Sequence, residues 1–249
     1  MEDWDYYICD LDGETAGVFL NLALAGQAPD VERRVSLRIA TPLIDPDENG
    51  LTDGQSDHAD RLEDDLEETL RARMDAVYVG RITHSGLREF YFYASGSQGV
   101  LQAAREVEQR HPEYKLEAGS AQDPKWEQYL QVMYPTPEVL RSMRNHKVLA
   151  ALMEQGDELA KPRPVDHFIY FGSPEARHEF RRKAAELGFA VRRELNAEDE
   201  EDIEQPFGLI LWRQQPVDPA SIDAATAQLD RLAAEVHGSY DGWECPVAK

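Results

Sequence analysis

In four places an oxygen-bearing residue stands before a proline at the head of a helical apolar pattern: Asp123-Pro124, Thr136-Pro137, Ser173-Pro174 and Asp218-Pro219. The oxygen can accept from the free amides of the first turn, and proline there loses no hydrogen bond. Each pair therefore marks a helix start more sharply than propensity does. The spacing predicts helices over Lys125 to Met133, Glu138 to Glu154, Ser173 to Leu187 and a last one carrying Ile222, Ala225, Leu229, Leu232 and Val236.

The segments between these starts read as strands. Trp4 to Asp10 and Gly17 to Ala25 flank an Asp12-Gly13 turn, which predicts an opening hairpin. Val35, Leu37 and Ile39 alternate with smaller or polar residues, the period of a half-buried strand. Asp57 to Met74 carries Leu62, Leu66 and Leu70 on one helical face, with Glu63, Asp64, Glu67 and Glu68 on the other. Ala76 to Thr83 and Leu87 to Ala94 make a second hairpin about Ser85-Gly86, with Phe90 and Phe92 on one face and Tyr91 and Tyr93 on the other. Those two apolar faces imply burial on both sides. Gln98 to His111 reads as a helix and Tyr114 to Gly119 as a short strand, so residues 35 to 119 run β-α-β-β-α-β.

A linker follows, because Gly156 ends a helix and Lys161-Pro162-Arg163-Pro164 resists regular structure. Beyond it come a strand from Val165 to Phe171, a helix closed by Gly188, a strand from Phe189 to Leu195, an acidic connector from Asn196 to Gln205, and a strand from Phe207 to Arg213. The Gly238 to Pro246 tail can supply a final edge strand. The expected architecture is α+β: two tandem ferredoxin-like sandwiches with antiparallel sheets, the first extended by the hairpin. Domains are expected at residues 1 to 134 and 161 to 249, with a bridging helix and linker over 135 to 160.

Charge narrows the function classes. The formal net charge is -22, with 27 acidic against 12 basic residues up to Tyr134 and 21 against 14 after it. Phosphate contacts need clustered Lys and Arg, so direct nucleic-acid binding is not expected, whereas a basic protein partner is. No apolar run approaches a membrane span, and the MEDWDYY start is acidic and aromatic where a secretory signal is basic and then apolar, which leads to the expectation of a cytoplasmic protein. Cys9 and Cys245 stand alone, without zinc spacing. Asp45, Asp47, Asn49, Gly50 and Asp53 approach calcium-loop spacing, but Ser56 stands where the bidentate Glu belongs, so a solvated acidic loop is expected. No cofactor or metal is called for.

No nucleophile elbow, P-loop, HExxH or dinucleotide fingerprint occurs. Six residues carry what chemistry there is. Asp166 and His167 could form an acid-base pair, although a hydrogen-bonded core histidine explains the same position. Tyr240, Asp241, Trp243 and Glu244 could bind a cationic ligand or a partner, or could dock the C-terminus onto its sheet. Arg177, Arg181, Arg182, Lys183, Arg192 and Arg193 form a basic region that the Glu198 to Glu204 stretch is expected to offset.

Gly156-Asp157, Pro162-Arg163-Pro164-Val165-Asp166-His167 with Tyr170-Phe171, the Gly188-Phe189 step and Gly238 to Glu244 together resemble the family of regulators of ribonuclease activity B. These are acidic bacterial proteins that inhibit endoribonuclease E. Met1 through Trp4-Asp5, Gly80-Arg81-Ile82-Thr83, Arg88-Glu89-Phe90-Tyr91-Phe92-Tyr93 and Tyr134-Pro135 resemble a bacterial domain family of unknown function often fused to it. The resemblance implies a ferredoxin-like fold and a non-enzymatic inhibitor that binds a protein partner, ribonuclease E. The alternative is a small-molecule binder or enzyme using an inter-domain cleft near His167. Oligomeric state is not legible.

Overall fold

The computed structural model describes residues 2–52, 54, 56–196 and 204–249. Asp53 of the acidic loop and residues 197–203 of the acidic connector lie outside them. The chain divides into two compact units, Met1–Pro135 and Thr136–Lys249.

In the first unit, β1 (Trp4–Leu11) and β2 (Glu14–Asn21) form the expected hairpin. Its turn residues Asp12 and Gly13 have φ of 55° and 88°, the left-handed pair that a two-residue hairpin turn requires. Then come β3 (Val35–Pro42), α1 (Ser56–Met74), β4 (Val77–His84), β5 (Leu87–Ala94), α2 (Val100–Arg110) and β6 (Glu117–Gln122). The sheet order is β1-β2-β4-β5-β3-β6, antiparallel throughout. Without the hairpin, the order β4-β5-β3-β6 is that of a ferredoxin-like sandwich. Leu62, Leu66 and Leu70 of α1 are each 0 % exposed and pack with Val107 of α2 on Leu37, Ile39, Phe90 and Phe92. On the opposite face Tyr93 stacks on Trp126 at 4.0 Å.

Two elements start later than the pattern predicts. Tyr114 is buried in the helix-side core, and the Leu116 amide donates to Glu108 at 2.9 Å, so the chain reaches the sheet only at Glu117. The Asp123 cap forms, accepting from the amides of Glu127 and Gln128, but Trp126 has φ of 57° and the turns over Gln128–Met133 are wide and π-type.

The second unit contains α3 (Pro137–Glu154), β7 (Arg163–Phe171), α4 (Pro174–Glu186), β8 (Ala190–Asn196), β9 (Phe207–Gln215), α5 (Pro219–Glu235) and β10 (Ser239–Glu244). Its sheet order, β10-β7-β9-β8, is again ferredoxin-like and antiparallel. The side-chain oxygens of Thr136, Ser173 and Asp218 accept from Val139, Ala176 and Ser221, as the Pro-preceding caps predict. Phe180 of α4 and Leu229 of α5 pack on Ile169, Phe171, Leu209 and Leu211.

Two expectations change here. The helix assigned to a bridge lies inside this unit: Leu149 and Leu152 of α3 pack with Val165, Val217 and Ile222. The stretch Arg163-Pro164, read as irregular, opens β7 and pairs with Gln215 and Gln214 of β9. The reason is one-sided pairing. β10 meets β7 only from Asp166 to Tyr170, so no strand on that side asks Pro164 for a donor.

Candidate functional site

β10 lies against β7, so the two stretches at either end of the second unit are sheet neighbours. Strict alternation would put Tyr240 and Trp243 on opposite faces. A register shift between Tyr240 and Gly242 breaks it: Tyr240 pairs with Ile169 and Trp243 with His167, two residues that share the buried face of β7. Both rings are thereby turned toward the helices.

There they meet α3. The Trp243 indole N–H donates to the Asn145 side-chain oxygen at 2.8 Å, while the Asn145 amide donates to Asp223 at 2.7 Å and Thr226 at 2.9 Å. Ser142 adds a second bond to Asp223 at 2.7 Å, and Arg141 pairs with Asp230 at 2.5 Å. Asn145, 3 % exposed, thus joins β10, α3 and α5 with its polar atoms matched. Between α3 and β10 remains a groove of about 410 Å³, walled by Leu140, Val148, Tyr240 and Trp243 and rimmed by Arg144 and Asp241.

The six residues singled out in the sequence separate. His167, Tyr240 and Trp243 face the helices; Asp166 and Glu244 pair across the strands on the other face, where Asp166 holds Arg192 at 2.5 Å. Asp241 sits at the bulge, exposed and on the groove rim. No Asp166–His167 pair forms, because adjacent residues in a strand point to opposite sides. His167 is 0 % exposed, with Nδ1 2.9 Å from the Tyr240 hydroxyl and Phe189 edge-on at 5.4 Å. Burial first, and then Arg213, pull its imidazole down to about 3, so it is neutral. Burial likewise pushes the Tyr240 phenol up, with Asp230 adding to the effect. Such a histidine orders the interior and offers a ligand nothing.

Of the Glu198 to Glu204 stretch expected to offset the basic region, all but Glu204 lies outside the described residues; among the described residues other acids pair with its cations. Arg177 and Arg181 reach Glu194, Arg182 reaches Glu186, and Lys183 reaches Glu179 and Glu235. In the acidic loop of the first unit, the Asp47 carboxylate accepts the amides of Leu51 and Thr52, and these bonds hold its pKa below the ordinary carboxylate range. Cys9 and Cys245 are free thiols. Sequence reasoning missed Arg141, Arg144, Asn145 and Asp230. A signal existed: asparagine is a poor residue for a helix interior, and Arg141, Asn145 and Val148 fall on one face of α3.

Residues 2–134 match a family of unknown function (DUF695), and residues 142–245 match the family described as regulator of ribonuclease activity B. No curated protein matches. Among solved structures, an unknown protein from Galdieria sulphuraria is 12 % identical, over 86 % of this chain and 99 % of its own, with a TM-score of 0.22. A putative glycine cleavage system transcriptional repressor is 7 % identical, over 86 % and 98 %, with a TM-score of 0.28.

Proposed function

The chain belongs to the family of unknown function DUF695 through residues 2–134 and carries a regulator of ribonuclease activity B match behind it, and on that premise we propose that it is a non-enzymatic cytoplasmic regulator that binds and inhibits ribonuclease E. The observation that carries this reading is the groove between α3 and β10. Most of its lining lies within the matched residues, and its two aromatic walls share a face because of the bulge at Asp241-Gly242. Half-buried aromatic rings with a charged rim are what a partner's side chains anchor on. The net charge of -22 favours a basic partner surface and speeds encounter with it.

The structure also weighs on the competing reading. A catalytic role for His167 asks a fully buried, neutral imidazole to reach a substrate, so a small-molecule ligand would have to use the α3–β10 groove, whose volume is that of a ligand pocket.

The test is capture of purified ribonuclease E by the chain at low and physiological salt, paired with an RNA-cleavage assay. Binding and slowed cleavage are expected, both weakened at least tenfold by Trp243→Ala or Asp241→Lys. No binding at low salt, with cleavage unchanged, would sink the proposal.

A further inference from the structure

The first unit carries a second aromatic groove, on the helix side of its sheet and outside the ribonuclease-regulator match. Tyr6 of β1 pairs with Phe19 of β2, and Phe19 pairs with Arg81 of β4. A register shift between Tyr78 and Gly80 puts Tyr78 on the same face as Arg81. Trp4 and Phe19 stack at 5.1 Å with 14° between their planes, and Tyr78 lies 5.4 Å from Trp4. Opposite these rings α1 presents Asp60, Glu63, Asp64 and Glu67, spaced i, i+3, i+4, i+7 along one stripe. Rings and stripe enclose about 380 Å³, and a smaller space of about 180 Å³ shares Phe19, Asp60 and Arg81 with it and runs on to Tyr6.

This groove already holds one guanidinium. Arg81 lies 4.4 Å from the centre of the Phe19 ring and pairs with Glu63, whose other oxygen accepts from the Tyr78 hydroxyl at 2.7 Å. Arg81 thereby satisfies Glu63. Farther along, Glu67 has Arg71 at 3.3 Å, while Trp4 offers a half-exposed ring beside Glu2 and Asp64. The Glu67 carboxyl is pushed up, first by partial burial and then by Glu2, Asp64 and Glu63 after Arg71 has pulled the other way. Negative charge here exceeds what the neighbouring cations neutralise.

We propose that the Trp4–Phe19–Tyr78 groove receives an arginine side chain from a basic segment of a partner protein, its guanidinium against Trp4 and its N–H groups donating to Asp64 and Glu67. Cation–π contact and charge-assisted hydrogen bonds both favour a guanidinium, and the pocket repeats the arrangement that Phe19 and Glu63 make with Arg81. Charge complementarity supports the choice: residues 1 to 134 hold 27 acidic against 12 basic residues, most of the chain's negative excess. Nothing in the inference depends on which protein the second unit contacts.

The test titrates the full chain into a fluorescein-labelled Arg-Gly repeat peptide, read by anisotropy at 25 and 250 mM salt. Binding that weakens with salt is expected, with a loss of at least tenfold in the pair Asp64→Asn, Glu67→Gln and in Trp4→Leu. The equal charge change Glu179→Gln, Glu186→Gln on α4 is expected to cost less than twofold. No binding, equal losses in both pairs, or equal affinity for a Lys-Gly peptide each overturns the assignment. Asp64 is exposed and Glu67 half-buried, and neither belongs to the apolar core, so the carboxylate pair decides the matter even where Trp4→Leu lowers stability. Ribonuclease capture can fail while this titration succeeds, and the reverse.

Discussion

Asp157 and Arg163 face each other as an ion pair with side chains 0 % and 3 % exposed, on either side of the proline-rich turn that leads into β7. The guanidinium also donates to the Glu158 carbonyl at 2.6 Å and the Lys161 carbonyl at 3.1 Å, while the Ala248 amide donates to Asp157 at 2.8 Å. One pair therefore ties the end of α3, the start of β7 and the C-terminal segment. Asp157→Ala strands a buried cation, and a loss of about 3–5 kcal/mol is expected in urea unfolding of the second unit. Arg163 first of all holds the Asp157 carboxyl below its ordinary range, so this stabilisation is complete above the usual aspartate pKa and is lost as pH falls through the folded value.

His167 gives a second pH dependence at a higher window. Its folded pKa, about 3, lies below the unfolded value of about 6.5, so between the two the unfolded chain binds the extra proton. Stability of the second unit is expected to be full above pH 6.5 and to fall on acidification by at most about 1.4 kcal/mol per pH unit. Urea midpoints measured from pH 7.5 to 4.5 check this. His167→Gln should flatten the slope in that window, and an unchanged slope would assign it to other groups.

Asn145 is the polar joint of the α3–β10 groove. Asn145→Ala leaves the Trp243 indole N–H and an Asp223 oxygen without their partner, at a cost of about 1–3 kcal/mol. Trp243→Phe keeps a ring and should cost less. Denaturant midpoints rank the two, and a shift in tryptophan emission in Asn145→Ala would report the freed indole.

Gly80 has φ of 143°, and a Cβ there would stand 2.2 Å from the Phe19 carbonyl oxygen and 2.7 Å from the Leu20 Cα. Backbone in an adjacent strand cannot swing aside as a side chain can. Gly80→Ala should destabilise the first unit by more than about 1 kcal/mol, and thermal unfolding measures it. A neutral result would mean that the bulge in β4 relaxes.

Much of the fold was legible because its determinants are local. An oxygen before proline caps a helix where an apolar helical pattern follows it, and so Thr136, Ser173 and Asp218 mark the starts of α3, α4 and α5. Leucine every fourth residue marks the buried face of α1, and strand alternation sets the buried faces of β5 and β7. The site was legible only in part. Tyr240 and Trp243 stood out by composition, whereas Asn145, Arg141 and Asp230 matter only through what lies across from them.

The sequence by itself determined the element order of both units, β-α-β-β-α-β, and with it two ferredoxin-like sheets. Tertiary structure decided which residues meet. Alternation keeps Asp166 from His167, and the bulge at Asp241-Gly242 turns Trp243 to the same side as Tyr240. The packing of α3 on α5 then closes a groove over both rings. A strand's two-residue period is written in the chain, but where the period slips depends on the strand beside it.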